Sequence, residues 1–127
     1  MTNPIELAYS ARAAEYIALL GTMRAVHPMG DVIDAGCGPG HWTDFLRRCR
    51  ANARGIDHVA EFVNSARENY PDSKFRVGSL EALDADNDSV GGVLAWYSLI
   101  HHEPGTIQVP LREFHRVLRP GGELVFL

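Results

Sequence analysis

The residues best suited to chemistry in this sequence are Asp34-Ala35-Gly36-Cys37-Gly38-Pro39-Gly40, three glycines at alternate positions after an apolar run that ends in an acid. Glycine has two physical uses at such positions. It accepts positive φ, and it lets a ligand rest on the backbone where a β-carbon would otherwise stand. A helix that starts directly after the turn offers unpaired N–H groups to an anion. Strand, glycine turn and helix start form the layout of a nucleotide-cofactor loop. The spacing is Gly-x-Gly-x-Gly, not the Gly-x-Gly-x-x-Gly of dinucleotide loops, which counts against a nicotinamide cofactor. Asp34 counts the same way. Its charge is badly placed beside a pyrophosphate and well placed for a ligand with a positive amino group. Cys37 has two readings, a small filler in the turn or a reactive thiol; no partner base is evident for the second.

Asp57 follows the first glycine by about twenty residues, the separation expected of a ribose-binding acid. A carboxylate there accepts hydrogen bonds from both ribose hydroxyls. It also suits the N-cap of the following helix, and the two roles are compatible. His58 has two open readings, a ring over the adenine face or a solvated histidine at a helix start. His101 and His102 are the acid–base candidates in the right place, because histidine titrates near neutrality. A surface or structural role is the default for both. No spacing of cysteine and histidine suits a metal, and two cysteines are too few for a disulfide framework.

These residues need elements to hold them. Helical spacing of Ala13, Ile17 and Leu20 predicts a helix over 9–25. Strands are expected at 31–35, 53–57, 74–77, 90–96 and 123–127. Helices are expected at 41–49, with Phe45 and Leu46 inward, at 58–69, with Val59, Phe62, Val63 and Ala66 on one face, and at 111–118, opened by Pro110. The polar connection 78–88 has room for a helical turn around Leu80 to Leu83. Alternating strands and helices predict an α/β fold, with a parallel sheet and helices on both faces.

The 127 residues suit a single domain spanning 1–127. With 46% hydrophobic and 22% charged residues and a formal charge of -4, the composition is that of a globular protein. No basic stretch suggests nucleic acid. The cluster Arg47-Arg48-Cys49-Arg50 reads as a solvated helix end. No apolar run is long enough to span a membrane and no secretory signal is evident, so a cytoplasmic location is expected.

The turn Asp34 to Gly40 resembles motif I of the class I S-adenosylmethionine-dependent methyltransferases. Four later landmarks are similar in order and spacing: Asp57, Gly78-Ser79-Leu80-Glu81, the stretch Val93 to His102, and Arg116-Val117-Leu118-Arg119-Pro120-Gly121-Gly122-Glu123-Leu124. The segment Tyr9 to Tyr16 resembles the N-terminal helix that caps the cofactor in small-molecule members. The resemblance implies a Rossmann-like sheet of strand order 3-2-1-4-5 and S-adenosylmethionine as cofactor, with S-adenosylhomocysteine as product. It implies that the backbone at Gly36, Cys37 and Gly38 lines the methionine portion, with Gly40 also among the cofactor-binding residues, and that Asp34 helps orient the amino group through backbone or water. Asp57 would hold the ribose, Ser79, Leu80 and Glu81 would frame adenine, and Ala95 and Trp96 would flank the methionine tail. Tyr16 would reach the cofactor carboxylate or serve as a core residue of its helix.

The implied activity is methyl transfer to a small-molecule acceptor, since the loop after the fourth strand lacks an Asn-Pro-Pro-Tyr type signature. The alternative is a non-catalytic module that binds the cofactor or a partner. The family continues past the fifth strand into an antiparallel hairpin that this sequence lacks. An uncovered Leu124-Val125-Phe126-Leu127 edge is expected to favour self-association.

Overall fold

The computed structural model describes residues 31–95, 103 and 105–126. The helix expected over 9–25 lies outside the described residues, as do Tyr16, Trp96, His101 and His102. The described elements are β1 (Asp31–Ala35), α1 (His41–Arg48), β2 (Asn52–Asp57), α2 (Ala60–Asn69), β3 (Lys74–Val77), β4 (Val90–Ala95), α3 (Gln108–Val117) and β5 (Leu118–Phe126). The strands form a parallel sheet in the order β3-β2-β1-β4-β5, as expected.

The sequence explains why β1 and β4 lie at the centre. Val32, Ile33 and Ala35 in β1, and the whole of β4, are buried, as near-continuous apolar strands covered on both faces must be. Alternation then divides the core. Ile33, Ala35, Ile56, Val93 and Ala95 pack with Phe114 and Val117 of α3. Val32, Ala53 and Leu94 pack with Leu46 of α1, supported by Trp42 and Phe45. Phe75 packs with Val63 and Ala66 of α2 and with Cys37. One face therefore carries α1 and α2, and the other carries α3. Among the described residues no helix is long and apolar enough to cross a membrane.

Local expectations shift in five places. The second helix begins at Ala60 rather than His58, because Asp57 accepts the Val59 N–H and holds 57–59 in a turn. Phe62, expected on the core face, is 45% exposed, because the buried stripe of α2 runs through Val63 and Ala66 and leaves Phe62 a step around the helix. No helical turn forms at Leu80 to Leu83; Ser79 and Ala82 make an isolated antiparallel bridge there. The last helix starts at Gln108, so Pro110 is its third residue and still spends no helical N–H. The fifth strand begins at Leu118, five residues early. Val90 pairs with Leu118 and Gly92 with Glu123, so Arg119, Pro120, Gly121 and Gly122 bulge opposite the single Gly91. Gly121 has φ of 80°, which this bulge requires.

Candidate functional site

The strand order reverses between β1 and β4, and a sheet of this kind binds ligands outside the carboxyl ends of its strands at that point. The candidate residues collect on that edge. Gly36 to Gly40 follow β1, Asp57 ends β2, Gly78 and Ser79 follow β3, and Ala95 ends β4. The register aligns them: Asp34 pairs with Gly55 and Leu94, Ala35 with Ile56, and Asp57 with Val77.

The turn spends its own N–H groups. Gly36 and Cys37 both donate to the Ile56 carbonyl, at 2.7 and 3.0 Å. Gly38 donates to Asp57 Oδ2 at 2.9 Å, Gly40 donates to the Cys37 carbonyl at 3.1 Å, and Pro39 has no N–H. Residues 36–40 themselves therefore have no N–H group to spare for an anion. Around the turn stand two buried acids instead, Asp34 and Asp57. Such a surface disfavours a pyrophosphate and favours a ligand that carries positive charge.

The glycines divide into two roles. Gly36, Gly38 and Gly40 all have positive φ, of 81°, 53° and 96°. A β-carbon at Gly38 would meet nothing within 4 Å, so open space lies over the turn where a ligand can rest. A β-carbon at Gly40 would stand 2.7 Å from Phe75 Cζ and 2.8 Å from Ala66 Cβ. Gly40 thus lets the turn lie against α2 and β3, a packing role beside the ligand contact expected of it.

Asp34 is 1% exposed and among the described residues accepts one side-chain hydrogen bond, from Thr43 Oγ1 at 2.7 Å. Burial pushes its carboxyl up to about 7 against the pull of the Thr43 hydroxyl, and the Asp57 charge adds to the rise. Burial, then Asp34 and Asp57, push the Cys37 thiol well up, so it stays protonated near neutral pH. Its Sγ leans on the Gly38 carbonyl at 3.6 Å, which suits the filler reading and not a nucleophile.

Asp57 ties three segments together. Its carboxylate accepts from Gly38 and Val59, and its carbonyl accepts from the Gly78 N–H at 2.9 Å. Both the N-terminal turn of α2 and the glycine turn are anchored on it, and a carboxylate retains further lone pairs for a ligand. His58 is exposed, with Nδ1 3.7 Å from Asp57 Oδ1. Ser79 is exposed and its Oγ accepts from the Glu81 N–H at 3.0 Å. Leu80 is half-buried against the α3-side core, and its N–H has no acceptor among the described residues. This N–H lies two residues past Gly78, whose own N–H bonds the Asp57 carbonyl.

Two residues were not singled out in the sequence, Thr43 and Gly55. Thr43 is three positions past Gly40, a spacing that returns its side chain over the turn. Gly55 lies opposite Asp34, which only the strand register reveals.

The fold and this edge define a class, an α/β protein of strand order 3-2-1-4-5 with a glycine turn and two buried acids at the carboxyl ends of β1 and β2. Residues 32–122 match the methyltransferase domain family, and the chain belongs to that family. Its cofactor is S-adenosylmethionine. A malonyl-[acyl-carrier protein] O-methyltransferase of Pectobacterium atrosepticum is 32% identical over 108 residues, which is 85% of this chain and 42% of that protein. A probable S-adenosylmethionine-dependent methyltransferase of Mycolicibacterium smegmatis is 36% identical over 97 residues, 76% of this chain and 36% of that protein. The crystal structure of the PH0226 protein of Pyrococcus horikoshii superposes with a TM-score of 0.83 at 26% identity, covering 98% of this chain and 55% of that one. The chain therefore spans about two-fifths of the length of the curated relatives it matches.

Proposed function

We propose that this chain forms the S-adenosylmethionine-binding core of a methyltransferase that acts on a small-molecule acceptor. One observation carries the reading furthest. The turn after β1 keeps its own N–H groups and leaves two buried carboxylates at the ligand edge, Asp34 and Asp57. S-adenosylmethionine fits this set, with an ammonium and a sulfonium near the acids and two ribose hydroxyls for Asp57.

The residues then take roles. Asp57 accepts from the ribose hydroxyls, and Gly36, Cys37 and Gly38 give the methionine portion a floor without side-chain bulk. Asp34 orients the amino group. The Leu80 N–H meets the adenine edge, with Ser79 and Glu81 at its margin and His58 free to swing over its face. Ala95 flanks the methionine tail, and Trp96 and Tyr16, which lie outside the described residues, are assigned to the tail and its carboxylate on the sequence resemblance alone. The bound cofactor supplies a methyl group already activated on a positively charged sulfur. The chain's task is therefore alignment and exclusion of water. His101 and His102 are the residues positioned in sequence to take a proton from the acceptor.

The relatives named as malonyl-[acyl-carrier protein] O-methyltransferases suggest a carboxylate oxygen as the first acceptor to assay. Transfer of labelled methyl from S-adenosylmethionine to a carboxylate-bearing acceptor is the expected result. Binding without transfer to any acceptor in a panel of oxygen, nitrogen and carbon nucleophiles would leave only the binding-module reading. We also propose a cytoplasmic setting, supported by a cysteine content too low for a disulfide framework. Pairing between copies along β5 belongs to the same proposal. Concentration-dependent mass in light scattering is expected, and a strictly constant monomer mass would contradict it.

A further inference from the structure

The pair formed by Thr43 and Asp34 is more expensive than a fold needs. Thr43 has no exposed surface, and its hydroxyl donates to Asp34 Oδ2 at 2.7 Å. Two apolar side chains would hold α1 on the sheet with less desolvation. The other oxygen of Asp34 has no donor among the described residues. The hollow is also built for the pair. A β-carbon at Gly55, directly across from Asp34 in the register, would stand 2.6 Å from Thr43 Oγ1 and 2.8 Å from Cys37 Cβ. A buried acid, one donor aimed at it, an oxygen left over and a glycine that makes room together point to a role at the ligand edge.

We propose that Thr43 is a positioning residue for cofactor binding, its hydroxyl holding the Asp34 carboxylate ionised and oriented toward the cofactor's ammonium group, in a hollow that Gly55 keeps open. The inference rests on the reading of the chain as an S-adenosylmethionine-binding core. The groups that face Asp34 are few. Asp57 of β2 raises the energy of a charge there, while Cys37 of the turn is a neutral thiol. Leu94 of β4 brings no charge. Asp44, next to Thr43 on α1, is taken up by Arg47, Arg48 and Ser73. Thr43 is thus the one donor to Asp34 among the described residues. Without it the carboxyl keeps its proton to higher pH and the ammonium group loses its counter-charge.

The test compares wild type with Thr43→Val, which keeps the shape, and Thr43→Ser, which keeps the hydroxyl. Binding of S-adenosylhomocysteine is measured by calorimetry near pH 7 and near pH 9. 5′-Methylthioadenosine, which lacks the ammonium group, serves as the control ligand. A hydrogen bond to a charged group sets the scale of about one pKa unit, so Thr43→Val is expected to weaken S-adenosylhomocysteine binding roughly fivefold near pH 7 and less than about twofold near pH 9. Binding of 5′-methylthioadenosine is expected to stay unchanged, which also reports that the variant is folded, and Thr43→Ser is expected to track wild type. If Thr43→Val does not fold, Thr43→Ala carries the same expectation. An equal loss at both pH values, an equal loss for 5′-methylthioadenosine, or no loss at all overturns the proposal. Wild type that binds neither ligand overturns the cofactor reading instead.

Discussion

Asp57 is engaged before any ligand arrives, with Gly38 at one carboxylate oxygen and Val59 at the other. Asp57→Ala therefore removes a ribose acceptor and also leaves two backbone donors to find water. The loss of cofactor affinity is expected to be about 1–3 kcal/mol, the scale of a charge-assisted hydrogen bond. Calorimetry measures it, and unchanged affinity would reduce Asp57 to a helix cap. The glycines separate in a similar test. Gly40→Ala drives a β-carbon into Phe75 and Ala66 and is expected to cost about 2 kcal/mol or more in urea unfolding. Gly38→Ala meets open space, so stability suffers only the backbone strain of about 1 kcal/mol while ligand binding carries the larger loss. Asp34 gives a third residue-level outcome. Its folded carboxyl sits near 7 against an ordinary 3.8, so between those values the folded state holds a proton that the unfolded chain has released. Stability from this group falls as pH rises through that window. Asp34→Asn is expected to flatten the pH dependence of thermal unfolding and to melt above wild type near about pH 8. A variant that melts below wild type there would contradict the assignment. Asp34 and Asp57 were legible in the sequence because each ends an apolar strand beside glycine or a helix start. Thr43 and Gly55 were not, because their meaning depends on which residues the register sets opposite each other.

At the scale of elements, α3 is the brace of the loop between β3 and β4. Arg116 donates to the Leu83 and Ala85 carbonyls at 2.9 and 2.8 Å and to Asn87 Oδ1 at 3.0 Å. Glu113 accepts from the Leu83 N–H at 2.7 Å and pairs with Arg116, while the Asp88 and Ser89 N–H groups bond the carbonyls of Arg116 and Val117. Arg116→Ala leaves Glu113 unpaired and two carbonyls without their donor. The expected loss is about 1–3 kcal/mol of stability, with faster hydrogen exchange concentrated over residues 83–89. Exchange that rises uniformly over the sheet would argue against a local brace. The Arg116 hydrogen bond holds the Glu113 carboxyl below its usual 4.5. The support it gives is thus complete above that value and lost as pH falls beneath it. The order and kind of these elements were legible in the alternation of apolar strands and amphipathic helices. The β5 bulge was not: Arg119-Pro120-Gly121-Gly122 reads locally as a turn, and only pairing with β4 on both sides of it makes one long strand. Phe62 failed for a related reason, since several apolar residues on α2 compete for a stripe that Val63 and Ala66 fill.

At the scale of the molecule, the reversal of strand order between β1 and β4 makes one edge of the sheet the place for a ligand, and the glycine turn and the acids stand there. The central claim is that this edge takes a cationic nucleoside cofactor and not a dinucleotide. The most direct test is calorimetric titration of the chain with S-adenosylmethionine and, separately, with NAD. Saturable binding of S-adenosylmethionine at one site per chain, with no heat from NAD, is the result predicted. Binding of NAD with none of S-adenosylmethionine would contradict it.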